Sequence, residues 1–186
     1  MTDSEQSPGS WPAYARQVIE SAIRKDDSGG VRPPPAAPQP FGGVFVTLRV
    51  SGRLRGCMGT LEPEQSLAEA VGHAAVSAAL HDPRFPPVAP ADLPDISIEV
   101  SIMSAPWPMR DLDELELGKH GILVRNGPRR GLFLPQVATE HHFDKETLLT
   151  RCCREKAGLK PDAWRDPDTE VLLFTADAYS DVRRDS

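Results

Sequence analysis

Hydrophobic and polar residues alternate with different periods along the chain, and each change of period marks an element. The first pattern is helical. Ser10-Trp11-Pro12 supplies a cap-type serine and an early proline, and Ala15, Val18, Ile19, Ala22 and Ile23 then fall on one stripe. Residues 26–40 follow with glycines and five prolines, which predicts a linker or wrapping loop. From Gly43 the period becomes two, with Val44, Val46, Leu48 and Val50 on one side and Phe45, Thr47 and Arg49 on the other. Ser51-Gly52 predicts a tight turn into a second strand from Arg53, a hairpin with Cys57 near the end of its returning arm.

Ser66 and Glu69 have capping-box spacing ahead of Leu67, Ala70, Val71, Ala74 and Ala78, which predicts a helix from Leu67 to Leu80, closed by Asp82-Pro83. Five prolines between Pro83 and Pro94 argue against regular structure there. Ile96, Ile98, Val100 and Ile102 then alternate with polar residues as a strand. After a Pro-Trp-Pro loop, Gly121 to Arg125 and Gly131 to Leu134 read as strands flanking a hairpin loop at 126–130. Phe143 and Leu148 would staple a helix capped by Asp144 and stopped at Gly158, and a last strand covers Val171 to Phe174. Hairpin-like neighbours outnumber strand-helix-strand units, so the pattern predicts an α+β fold with a mainly antiparallel sheet and flanking helices. Residues 1–9 are expected to be a disordered N-terminus and 10–181 a single domain.

Composition narrows the function classes. No apolar run approaches the roughly 18 to 20 residues of a membrane span. The start of the chain lacks the basic and apolar stretches of a secretory signal, so a cytoplasmic protein is expected. The net charge of −6, from 21 basic and 27 acidic residues, disfavours reliance on sequence-independent attraction to nucleic-acid backbones. Three cysteines, two of them adjacent at Cys152-Cys153, fit neither a disulfide framework nor a structural zinc site. Reduced thiols, no metal and no cofactor are expected.

Cys57 is the first chemical candidate. In a strand extended from Arg53, Arg53, Arg55 and Cys57 share one face, where two guanidinium groups would favour the thiolate, the reactive form. Gly56 and Gly59 flank the cysteine and permit close approach of a ligand or of another backbone. The plainer alternative is a small buried hydrophobe, with glycines that only shape a bulge. In Asp82-Pro83-Arg84-Phe85, Arg84 can grip an anion while Asp82 handles a proton or orients a partner; the alternative is an ordinary helix stop in which the two charges pair locally. His120, before Gly121, and His141-His142 are candidate bases if the fold brings them near Cys57, and His73 and His81 read as structural. At least Cys152 reads as helix packing.

The segment Leu54-Arg55-Gly56-Cys57-Met58-Gly59-Thr60 resembles the hallmark of the AMMECR domain family, in which isoleucine is usual at the Met58 position. Four further segments match in order: Asp82 to Pro87, Lys119 to Ile122, Leu134 to Val137 and Lys156 to Leu159. The resemblance covers nearly everything from the first helix to Asp181 and implies an α+β fold with a larger and a smaller lobe. It also implies membership of an AmmeMemoRadiSam-type system, with a Memo-like protein and a radical SAM enzyme as partners. Carried onto this chain, its motif residues mark a candidate site and leave the reaction open, with two readings equally compatible; in the first, Cys57 is a nucleophile or covalent carrier, with Asp82 and His120 as proton-handling residues. Arg55, Gly56, Gly59, Arg84 and Gln136 are then the residues around an unidentified small-molecule substrate. The other reading is a non-catalytic module whose motif around Cys57 docks the Memo-like protein or the radical SAM enzyme.

Overall fold

The computed structural model describes residues 10–25, 31–35, 40–61 and 64–181. The expected disordered N-terminus lies outside them, as does most of the proline-rich stretch; residues 31–35 and 40 form no regular element. In chain order the helices and strands are α1 (Trp11–Arg24), β1 (Phe41–Val50), β2 (Arg53–Leu61), α2 (Leu67–Leu80), β3 (Ile96–Ser104), β4 (Trp107–Pro108), β5 (Gly121–Asn126), β6 (Arg129–Phe133), α3 (Pro135–Glu140), α4 (Lys145–Arg151), β7 (Glu170–Phe174) and β8 (Ala176–Ser180). They divide between two compact units, one of residues 1–102 with 177–186 and one of residues 103–176. The fold is α+β with two antiparallel sheets.

In the first unit the sheet order is β2-β1-β3-β8, so β2 is an edge strand. Ser51 (φ 48°) and Gly52 (φ 75°) both take the left-handed conformation, the requirement of the tight turn that matches strand twist. One sheet face carries Val44, Val46 and Leu48 of β1 with Ile96, Ile98 and Val100 of β3. It is buried against Ala15 and Ile19 of α1 and against Ala70, Val71, Ala74 and Ala78 of α2. Small residues along α2 allow the helix to lie close to the sheet. The helix begins as its sequence dictates: the Ser66 hydroxyl accepts from Glu69 N, and the Glu69 carboxylate accepts from Ser66 N at 3.0 Å. Ser66→Ala is expected to cost about 1 kcal/mol in urea unfolding, the usual worth of such a cap; an unchanged midpoint would mean that packing alone sets the helix start.

The second unit has sheet order β4-β7-β5-β6. Its core joins Ile122, Val124, Phe133, Val171 and Leu173 to Leu148, Leu149, Cys152 and Cys153. Asp144 caps α4 by accepting from Thr147 N at 2.7 Å, and Gly158 (φ 64°) follows its end, as expected. The turn between them differs, because residues 152–156 widen into a π-helix in which Ala157 N reaches Cys152 O at 3.0 Å. Backbone at Lys156 and Ala157 lies so close to β6 that a Cβ on Gly131 would be 2.4 Å from Ala157 N.

Three other expectations change. Residues 90–95 form a 3-10 helix despite their prolines, because Pro90 opens it where no N–H is needed. The Pro-Trp-Pro segment contains a two-residue edge strand, with Trp107 opposite Leu173. Strand β8 went unseen because Ala176-Asp177-Ala178-Tyr179-Ser180 carries too few large apolar residues to show a period. No helix among the described residues is long and apolar enough to cross a membrane.

Candidate functional site

The sulfur of Cys57 owes its position to an irregularity in the hairpin. A two-residue turn pairs Val50 with Arg53 and Arg49 with Leu54, and an unbroken register would put Cys57 opposite Val46, on the core face. Instead the register shifts between Leu48 and Arg49, so that Leu48 pairs with Gly56 and Thr47 with Cys57. Arg55 is the extra residue of this bulge, and every later side chain of β2 changes face. Cys57 therefore stands with Thr47 on the face away from α1 and α2, half-buried, and the Thr47 hydroxyl donates to Sγ at 3.4 Å. The shared face of Arg53 and Cys57 expected from strict alternation does not exist; Leu54 takes that place, 38% exposed.

Because β2 is an edge strand and its partner bonds to alternate residues, the peptide groups of Cys57 face outward. Side chains meet them. Asp82 Oδ2 accepts from Cys57 N at 2.9 Å, and Arg84 Nη2 donates to Cys57 O at 3.1 Å. Asp82 and Arg84 thus offer the acceptor and donor that a neighbouring strand would. They are also bound to each other, with Arg84 Nε 3.0 Å from Asp82 Oδ1 and Nη2 2.7 Å from Oδ2, and Arg84 N donates to Oδ1 at 3.1 Å. The Asp82 side chain is 2% exposed and that of Arg84 54%. The Arg84 side-chain hydrogen bonds hold the Asp82 carboxyl far below its ordinary range, against the opposing effect of burial and with help from the backbone N–H groups of Cys57 and Arg84. The same pairing raises Arg84. With both oxygens engaged and its charge fixed, Asp82 is suited to hold the cysteine backbone and poorly suited to exchange protons.

Arg55 is committed elsewhere. Its Nη1 donates to Pro86 O at 2.8 Å, and its Nη2 approaches Pro87 O at 3.3 Å and Asp92 Oδ2 at 3.5 Å. It ties β2 to the segment after α2, which leaves Arg84 as the more accessible guanidinium. The two motif glycines are explained by contacts within the unit. A Cβ on Gly56 would lie 2.2 Å from Ala78 O of α2, and one on Gly59 would lie 2.2 Å from Val44 O and 2.5 Å from the Phe45 ring.

His120 and Gln136 belong to the second unit. His120 is buried; its Nδ1 lies 3.2 Å from Glu116 N and 3.1 Å from Glu114 O, and its ring stands at right angles to that of Trp107 with centroids 5.5 Å apart. Gln136 is half-buried at the start of α3. His73 is exposed, as are His141, which stacks on Phe143, and His142. Cys152 and Cys153 are fully buried, and burial pushes the Cys152 thiol up to about 12 and that of Cys153 upward as well. Among the described residues no cluster of His, Cys, Asp and Glu could hold a metal ion. Thr47 escaped the sequence reading because its approach to Cys57 depends on the bulge.

This is an α+β protein with a cysteine on a side-chain-capped sheet edge, and its fold is similar to that of a solved structure. The uncharacterized protein PH0010 from Pyrococcus horikoshii superposes with a TM-score of 0.78 at 36% identity, over 90% of this chain and 88% of its own. A protein of Methanothermobacter thermautotrophicus is 45% identical over 174 residues, 89% of each chain, and Protein MK0488 of Methanopyrus kandleri is 40% identical over 176 residues, 90% of this chain and 84% of its own. The AMMECR1 family model matches residues 12–179, and the chain belongs to that family.

Proposed function

We propose that this protein is an enzyme, or the enzyme component of an AmmeMemoRadiSam-type system, in which Cys57 serves as nucleophile or covalent carrier for a small substrate. The observation that carries the reading is the contrast among the three cysteines. Two are sealed in the core of one unit, whereas Cys57 presents its sulfur beside the Thr47 hydroxyl with its peptide groups fixed on both sides by Asp82 and Arg84. A nucleophile gains from such fixed placement, since orientation lowers the entropy cost of reaction. Arg84, with its outer surface open, is the group placed to meet an anionic portion of the substrate. Asp82 positions the motif, and a proton acceptor would have to come from elsewhere, His120 remaining the sequence's candidate.

Iodoacetamide labelling of the folded protein with peptide mass spectrometry tests this. Cys57 should be modified first, with Cys152 and Cys153 labelled only after denaturation, and Cys57→Ser should remove the fast label while keeping the unfolding midpoint. Protection of Cys57 equal to that of the buried pair would sink the reading.

One observation favours a second reading, a docking module for a Memo-like protein or a radical SAM enzyme: Leu54, in the same motif, exposes an apolar side chain. Leu54→Glu should then abolish co-purification with those partners and leave Cys57 labelling intact. Gly56 cannot serve in that test, because a side chain there strikes α2 first.

A further inference from the structure

A second feature occupies the same sheet face as Cys57 and shares Thr47 with it. The face opposite α1 and α2 carries a groove of about 210 Å³ floored by β1, β3 and the end of β8. Its polar lining is Thr47, Arg49, Ser97, Glu99, Ser180 and Asp181, all within the first unit.

The charges in this groove are of two kinds. Asp181 is already satisfied: Arg16 Nη2 donates to its Oδ2 at 2.6 Å, and Ile98 N donates to its Oδ1. Arg49 and Glu99 are not. Among the described residues the Arg49 guanidinium makes one long contact, from Nη1 to Gly52 O at 3.5 Å, and the Glu99 carboxylate one, accepting from the Ser180 hydroxyl at 3.5 Å. They make no ion pair with each other within 4.0 Å among the described residues. A guanidinium and a carboxylate that line one groove and leave each other unpaired are complementary to a ligand carrying both charges. A purely anionic ligand would meet Glu99, and a purely cationic one would meet Arg49. The volume is below the roughly 300 Å³ at which drug-sized pockets begin, so the ligand is small. The hydroxyls of Thr47, Ser97 and Ser180 direct their protons to Cys57 Sγ, Arg49 O and Glu99, which leaves their oxygen lone pairs as neutral acceptors.

We infer that this groove binds a small zwitterion of the amino-acid or dipeptide class, its carboxylate on Arg49 and its ammonium on Glu99. Thr47 joins the two features, since it lines the groove and donates to Cys57 Sγ. Cys57 itself does not line the groove, so binding can be measured apart from any chemistry at the thiol.

The test is titration of the full-length protein with L-alanine and with glycylglycine, which differ in charge separation, followed by amide ¹H–¹⁵N shifts. Acetate and methylammonium serve as single-charge probes. Saturable shifts at Thr47, Arg49, Ser97, Glu99 and Ser180 are expected with at least one zwitterion, and binding at least about tenfold weaker with either single-charge probe. Arg49→Gln and Glu99→Gln should each abolish saturation while the dispersed spectrum shows an intact fold. The inference is overturned if neither zwitterion saturates, if acetate or methylammonium binds as tightly, or if both variants bind like the parent. Failure here leaves the cysteine labelling result untouched, and the reverse also holds.

Discussion

Gly56→Ala is expected to destabilise the protein by about 3 kcal/mol, lowering Tm by roughly 6–12 °C, since overpacking against backbone is among the costlier core changes. The added Cβ would lie 2.2 Å from Ala78 O and 3.2 Å from Ala78 C, with the Leu48 side chain at 3.6 Å behind them. A side-chain tip could swing aside, but a helical carbonyl moves only with its helix. Either α2 lifts from the sheet or β2 leaves its register, and each exposes part of the core formed by Leu48, Ala75 and Ala78. Gly72→Ala provides the internal comparison. That glycine lies inside α2, and its Cβ would meet Tyr14 Oη at 3.5 Å, an ordinary contact. Alanine there should stabilise the helix by about 0.5–1 kcal/mol. Urea unfolding of both variants checks the pair. Equal effects would mean that the β2–α2 approach is looser than the geometry states.

Asp82→Ala should cost about 2–3 kcal/mol near neutral pH, because it removes hydrogen bonds to a charged acceptor and leaves Cys57 N–H without a partner. The cost should depend on pH with a definite sign. The folded carboxyl titrates well below its unfolded value of about 3.9, so its stabilisation is fully present above that value. As pH falls through 4 toward the folded value, the unfolded chain takes up a proton that the folded chain does not, and the contribution drains away. The stability gap between parent and variant should therefore narrow between about pH 5 and pH 3 in chemical denaturation. A gap of constant size across that interval would show that the carboxylate is not held ionised by Arg84. Cys57 labelling in the same variant reports whether the fixed backbone governs access to sulfur.

Much of the fold was legible because its signals are local. The Ser66–Glu69 box, the Ser51-Gly52 turn and the alternation through Ile96 to Ile102 each specify an element within a few residues. Strand β8 and the two-residue β4 have too little apolar pattern to register, and the π-turn at 152–156 lies against Gly131, more than 20 residues away in the chain. The candidate site divides along the same line. The motif picked out Cys57, Asp82 and Arg84, whereas the attachment of Asp82 and Arg84 to the Cys57 backbone spans more than 20 residues and has no local trace. The face of the sulfur was misread for one reason. Alternation assumes an unbroken register, and the single extra residue at Arg55 reverses it.

The same cap has a consequence for how copies of this chain behave in concentrated solution. An uncovered edge strand is a template on which another chain can zip, the usual beginning of sheet-to-sheet aggregation. At β2 that edge is answered by a carboxylate and a guanidinium, and the following Pro86 and Pro87 have no N–H with which to extend a ladder. The residues that hold the cysteine in place therefore also keep its strand from recruiting a stranger.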